Sequence, residues 1–212
     1  VNETEIVKGT AKDYEMVIAT GRNNTNRYFE YYFGKTPHLF RKNRTSVAII
    51  DNQTTEDDLI NLSKDVFDYF GLGCRSVTKL YIEKGFDINS IFKSFYHAKE
   101  VMNHVKYMNN YDYNKAIYLL EDISFLDNGF MILRENENLH SPVSVVNYEY
   151  FENIVELNEK LNYIQDEIQC RVGVGGIAYG TAQNPSLSDY ADGVDTIPVS
   201  YTHLRAHETR RY

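Results

Sequence analysis

The stretch TTEDDLINLSKDVFDYFGLGCRSVTKLYI, residues 54–82, decides how the rest of the chain is read. Thr55, with Asp58 three positions on, is a capping-box start for a helix. Leu59, Leu62, Val66, Phe67 and Phe70 recur at helical spacing on an otherwise charged segment, so a helix is predicted through Phe70. Gly71-Leu72-Gly73 ends it, because glycine enters the left-handed region without a Cβ clash. Cys74 follows at once, and residues 77–82 are apolar and β-branched enough for a strand. Flanking glycines at this junction let a substrate approach the backbone closely. Arg75, if its guanidinium faces the sulfur, favours thiolate over thiol. A thiolate is the soft nucleophile that attacks a thioester or aldehyde carbonyl. The residues alone leave a second reading open, in which Cys74 is a small apolar side chain in a tight turn.

Upstream, TSVAII at 45–50 reads as a strand. YEMVIAT at 14–20 reads as another, closing on Gly21. Asn23 and Asn24 are N-cap types, and Tyr28, Tyr31 and Tyr32 carry helical spacing until Gly34 and Pro37 stop it. Downstream, the pattern predicts a helix near 88–97, a short strand near 116–120, strands at 129–134 and 142–148, a helix over about 150–163 and a strand near 168–173. Residues 173–187, rich in Gly, Ala, Asn and Ser, read as loop. Strands alternating with helices make the fold class α/β.

Composition narrows the chemistry. The 212 residues are 42% hydrophobic, enough for one sizeable core, and 22 basic against 30 acidic residues leave a net charge of −8. That balance argues against nucleic acid as a partner. Two cysteines exclude a disulfide scaffold, and the six histidines show no metal-ligand spacing, so no metal site is expected. Cys170, within an apolar-flanked strand, reads as core, and a Cys74–Cys170 disulfide is disfavoured in a reducing compartment. No apolar run approaches a membrane span, and the opening VNETEIVKGT has no signal-peptide pattern, so the chain reads as cytoplasmic. It begins without methionine, as the interior of a longer chain would. Within the last residues, 199–212, VSYTHLRAHETRRY, the run from Val199 to Thr209 back-translates over eleven codons to a transposase-type sequencing adapter, a genuine basic C-terminal arm being the other reading. Residues 198–212 therefore read as a non-native tail, and His203 and His207 drop out of any site.

Two further sites come into view. Gly173-x-Gly175-Gly176 follows a strand but opens a loop, so it is no dinucleotide fingerprint. Thr20-Gly21-Arg22-Asn23 lies at a strand-to-helix turn, where backbone donors and a helix N-terminus face an anion or a nicotinamide edge; an ordinary βα turn is the other reading. His104 and His140 are available as bases for Cys74, but the sequence gives neither that role over a structural one.

Taken in order, these elements resemble the second half of an aldehyde-dehydrogenase-type chain, and in particular the long-chain acyl-CoA reductase family related to the luminescence fatty-acid reductases. The resemblance covers residues 14–197. Ala19-Thr20-Gly21-Arg22-Asn23 stands where that superfamily has its T-G-S turn, and GLGCRSVTKLYI stands where it has the catalytic cysteine, fifty-three positions after Gly21. Glu137-Asn138-Leu139-His140-Ser141-Pro142-Val143 resembles the E-E-x-F-G-P-x segment, whose acid grips the nicotinamide ribose. Here Asn138 stands in the acid's most natural register and Glu137 one position away. Residues 190–196, YADGVDT, resemble the segment before the family's last strand. The general-base glutamate of the hydrolytic members has no counterpart, since Phe40-Arg41-Lys42-Asn43-Arg44-Thr45 holds no carboxylate.

The resemblance implies an aldehyde-dehydrogenase-like fold: a remnant of a Rossmann-like cofactor domain at 1–44 and a catalytic domain at 45–197. It implies Cys74 as nucleophile, with its backbone N–H serving the oxyanion, and Thr20, Gly21, Arg22, Glu137 and Asn138 toward the cofactor. The expected reaction is NADPH-dependent reduction of a fatty acyl-CoA to the aldehyde through a cysteine thioester. Without the preceding half of the cofactor domain, the chain by itself is expected neither to bind NADPH well nor to turn over. Another CoA-acylating aldehyde dehydrogenase, or a non-catalytic homologue serving as an assembly module, remain alternatives, and a homo-oligomer is compatible with either.

Overall fold

In the computed structural model, residues 14–21 and 23–198 are described. The adapter-like stretch at 199–212 and the Arg22 position lie outside them. The chain divides into two compact units, one of described residues 14–43 and 190–198, the other Arg44–Asp189.

In the smaller unit, β1 (Val17–Thr20) pairs in parallel with β2 (His38–Arg41), and α1 (Asn23–Phe33) connects them. The strand and helix around Gly21 agree with the sequence reading. β2 was not foreseen: HLFR is four residues long, mixed in polarity, and lacks the apolar run that marks a buried strand. Arg41 Nη2 donates to Thr196 Oγ1 at 2.8 Å, tying the 190–198 segment to β2.

The larger unit is built on a six-stranded sheet. Its strands are β3 (Thr45–Ile50), β4 (Val77–Glu83), β5 (Leu126–Asp127), β6 (Ile132–Glu135), β7 (Val145–Phe151) and β8 (Ile168–Gly173). Their order is β5-β6-β7-β4-β3-β8, parallel except where β5 meets β6. Both faces are covered, which is why β3 and β4 read as continuous apolar runs. Ala48, Ile50, Leu80 and Ile82 face α2 (Glu56–Phe67) and α3 (Ile88–Phe95) through Leu59, Leu62, Val66, Phe67, Ile91 and Phe95. The alternate residues Val47, Ile49 and Tyr81 pack under α5 (Ile154–Tyr163) on Leu157 and Leu161.

Three expectations need correction. The capping box forms as read, with Thr55 Oγ1 accepting from the Asp58 N–H and the Asp58 carboxylate accepting from the Thr55 N–H, but α2 stops at Phe67 rather than Phe70. Tyr69 (φ 58°), Phe70 (φ 59°) and Gly71 (φ 72°) are then all left-handed, so the chain leaves the helix two residues before its glycine. Residues 116–120 are the end of a sixteen-residue helix, α4 (Val105–Leu120), and not a strand. Tyr107, Tyr111, Asn114 and Tyr118 make its buried stripe; a run of aromatic and β-branched residues imitates a strand when its helical period is overlooked. The strands expected at 129–134 and 142–148 are β6 and β7, each starting about three residues later. Phe130 and Met131 are fully buried before pairing begins.

Candidate active site

Cys74 is exposed, on the turn between the left-handed residues after α2 and the start of β4. The turn is stitched from both sides. Leu72 N–H donates to the Tyr69 carbonyl at 3.1 Å, Ser76 N–H to the Gly73 carbonyl at 3.0 Å, and Gly73 N–H to Ser76 Oγ at 3.3 Å. The Ser76 carbonyl in turn accepts from Ser46 N–H at 3.2 Å and from Thr45 Oγ1 at 3.3 Å, both on β3. Among the described residues the Cys74 N–H has no acceptor, leaving one backbone donor beside the sulfur. Left-handed non-glycine residues cost of order 1–3 kcal/mol each and persist where surrounding contacts over-determine them. Here the stack of Phe70 on His104, with ring centroids 4.2 Å apart, holds the strained segment.

Ser46, fully buried, is the hub of the site. Its Oγ donates to the Cys74 carbonyl at 3.0 Å and accepts the Cys170 N–H at 3.3 Å, and Cys170 Sγ lies 2.9 Å from the same oxygen. Either the Ser46 hydroxyl or the Cys170 thiol can be the donor in that last contact. The register explains this clustering. Thr45 pairs with Ile168 and Val47 with Arg171, so Gln169 and Cys170 together face Ser46 across a β-bulge. Burial pushes the Cys170 thiol above its usual range, against the opposing Ser46 hydrogen bond and the Arg75 charge.

Arg75 does not simply cover Cys74. Its Nη1 donates to the Ala182 carbonyl at 3.1 Å. The same loop is fixed by the fully buried Asp65 of α2, whose carboxylate accepts from Gly180 N–H at 2.6 Å and Ala182 N–H at 2.9 Å. Burial raises the Asp65 pKa, and those two amide donors oppose the rise. Arg75, Cys170, Arg171, Thr181, Asn184 and Asp189 line an open cleft of about 370 Å³.

Glu137 and Asn138 lie exposed on the crossover from β6 to β7. Its carbonyls are held by side chains of the sheet. Thr78 Oγ1 donates to Leu139, Lys79 Nζ to Asn136, and Asn147 Nδ2 to Asn138 (3.0 Å) and His140 (3.1 Å). Lys79 is fully buried and ion-paired with Glu149 at 2.7 Å; burial lowers its pKa, and Glu149 works in the other direction. A lysine inside the apolar run VTKLYI is the sequence signal for this tie, and Ser46 inside TSVAII the signal for the hub.

His104 has a structural setting, capping α4 by accepting the Tyr107 N–H at 3.3 Å. For His140 the carbonyl is held by Asn147, and the ring Nε2 is buried with no hydrogen-bond partner among the described residues. In the smaller unit, Thr20 is exposed at the end of β1. A Cβ on Gly21 would lie 2.9 Å from Phe29 and Thr25 atoms, so only glycine lets the turn close onto α1. Cys74, Glu137 and Asn138 thus belong to the larger unit, and Thr20 and Gly21 to the smaller. Among the described residues, no group of His, Cys, Asp and Glu is arranged to hold a metal, and no helix is long and apolar enough to cross a membrane.

No protein-family model matches the chain, and no curated protein sequence does. Solved structures do match. An AldA indole-3-acetaldehyde dehydrogenase from P. syringae, solved with NAD+ and IAA, superposes with a TM-score of 0.55 at 10% identity, over 90% of this chain and 43% of its own. The aldehyde dehydrogenase KauB from Pseudomonas aeruginosa gives 0.54 at 9% identity, over 82% of this chain and 41% of its own. An NAD-dependent aldehyde dehydrogenase from Sinorhizobium meliloti gives 0.54 at 9%, over 82% and 40%. The chain spans about two fifths of the length of these neighbours. Its fold is aldehyde-dehydrogenase-like α/β.

Proposed function

We propose that the chain carries the acyl-accepting part of an acyl-CoA reductase. In this reading Cys74 takes the acyl group of a long-chain fatty acyl-CoA, and the thioester so formed is reduced to the fatty aldehyde with NADPH. The observation that carries it is the exposed Cys74 sulfur on a strained, hydrogen-bond-locked turn whose own N–H is unengaged. The thiolate adds to the acyl-CoA carbonyl, the developing oxyanion meets the Cys74 N–H, and the CoA thiolate leaves. NADPH, when bound, supplies the hydride that takes the acyl group to the aldehyde level. Cys74 then releases the aldehyde as its carbon–sulfur bond breaks and the thiolate is restored.

The strand-to-helix turn at Thr20 and Gly21 fits an anionic cofactor, because the exposed strand end leads directly into the N-terminus of α1. Arg22, next in sequence, is assigned to the cofactor with them, and Glu137 and Asn138 to the ribose, from a loop whose carbonyls are already fixed. Residues 40–45 offer no carboxylate to activate water, which favours transfer from CoA over hydrolysis to an acid.

The test isolates the first step. The chain is incubated with an alkyne-tagged long-chain acyl-CoA and analysed for a hydroxylamine-labile acyl group on the tryptic peptide 65–75. Labelling is expected in the unmodified chain and in Cys170→Ala, and lost in Cys74→Ala. Labelling that is equally slow on both cysteines overturns the proposal.

A further inference from the structure

We propose that Cys74 and Cys170 form a reversible oxidation pair, with Cys170 the resolving thiol for an oxidised Cys74. Three placements carry this. Both residues are bound to one oxygen, Ser46 Oγ, through the Cys74 carbonyl at 3.0 Å and the Cys170 sulfur at 2.9 Å. The bulge opposite Ser46 takes Cys170 out of the regular ladder, so its N–H bonds to a side chain and its position is set by Ser46 rather than by strand pairing. Cys170 also lines the open cleft, and Cys74 is exposed on a turn flanked by Gly71 and Gly73, so both residues can be reached from solvent.

The chemistry balances with a hydroperoxide as oxidant. The Cys74 thiolate attacks the peroxide O–O bond, giving a sulfenic acid as the peroxide is reduced to an alcohol or water. The Cys170 thiolate then attacks the Cys74 sulfur, the new S–S bond forms, and water leaves with the sulfenic oxygen. A dithiol reductant restores both thiols. Burial holds Cys170 as the thiol at neutral pH, so the closing step is expected to quicken as pH rises. What the pair accomplishes is protection: an exposed nucleophilic sulfur is diverted from irreversible over-oxidation into a state that reduction reverses. The inference uses the same sulfur as the proposed function but needs neither acyl donor nor nicotinamide, so either can fail alone.

The experiment uses the full chain with a few equivalents of hydrogen peroxide, alkylation of remaining thiols, and tryptic mapping. Trypsin puts the two cysteines on separate peptides, 65–75 and 161–171. The expected result is a joined pair two hydrogens lighter than its parts, from chains that remain single on a non-reducing gel, and recovery of both peptides after dithiothreitol. In Cys170→Ser the same treatment is expected to carry Cys74 on to sulfinic acid that dithiothreitol does not reverse. Sulfinic acid on Cys74 with an unmodified thiol at Cys170 in the unaltered chain, or joining only between two chains, overturns the proposal.

Discussion

A single hydroxyl organises the residue scale. Ser46 is buried in a strand that otherwise reads as pure core, and its one oxygen serves the carbonyl of Cys74, the amide of Cys170 and the Cys170 thiol. Ser46→Ala removes the partner of the Cys74 carbonyl and of the Cys170 amide, both part-buried, and a lost partner costs up to about 1–3 kcal/mol. The expected outcome is a drop in stability of that order by urea denaturation. Alkylation of Cys74 is expected to quicken at the same time, as its turn loosens. A variant that loses stability with no change in Cys74 alkylation would separate Ser46 from the turn. The sequence marks Ser46 as a polar residue inside a buried strand but not what it bonds, because a serine in a strand looks the same whether it faces a thiol, a backbone carbonyl or water. The turn that carries Cys74 was legible, since the glycines around it and the helix before it are local signals.

At the scale of elements, the passage from α2 to β4 is where local preference and the native fold disagree. Tyr69 and Phe70 take dihedrals that suit glycine, just where the chain turns toward Cys74. Tyr69→Gly removes the Cβ conflict at an exposed position, so it is expected to raise the melting temperature, by an amount matching about 1 kcal/mol at the transition. If the strain serves the site, acyl transfer to Cys74 slows in the same variant; a lower melting temperature would refute the strain. The same passage shows what sequence reading can and cannot reach. Thr55 and Asp58 announced the start of α2 because a capping box is a contact within four residues. Its end was misplaced because the apolar spacing of Phe70 continues the helical stripe, while its ring turns instead to stack on His104, thirty-four positions away. The error in α4 has the opposite origin. Tyr111 and Tyr118 pack on Ile132 and Val145 of the sheet, and that tertiary burial lets a tyrosine-rich segment remain helical against its propensity.

At the scale of the whole molecule, every buried apolar cluster among the described residues lies within Arg44–Asp189. That unit has its own sheet, helices on both faces and both cysteines. Expressed alone as residues 44–189, it is expected to melt cooperatively, with one transition by circular dichroism, and to retain the reactivity of Cys74 toward thiol reagents. Non-cooperative melting of 44–189 would show that the core depends on the residues outside it. The α/β class was readable from the alternation of patterns, but the order of the strands was not. Pairing β4 with both β3 and β7 depends on contacts across tens of residues, which no local period encodes.

The sheet's two open margins carry a last implication. At one end β5 is only two residues long. At the other, β8 carries the bulge at Cys170, and its outer side is occupied when the chain doubles back to bond Gly173 N–H to the Ile177 carbonyl and Ile177 N–H to the Arg171 carbonyl. A long, flat border would offer a ready template for a strand from another copy. Here the doubling back of the chain after β8 denies a stranger's backbone a place to zip on, so the residues that follow the Cys170 strand guard that border against fibrous self-association.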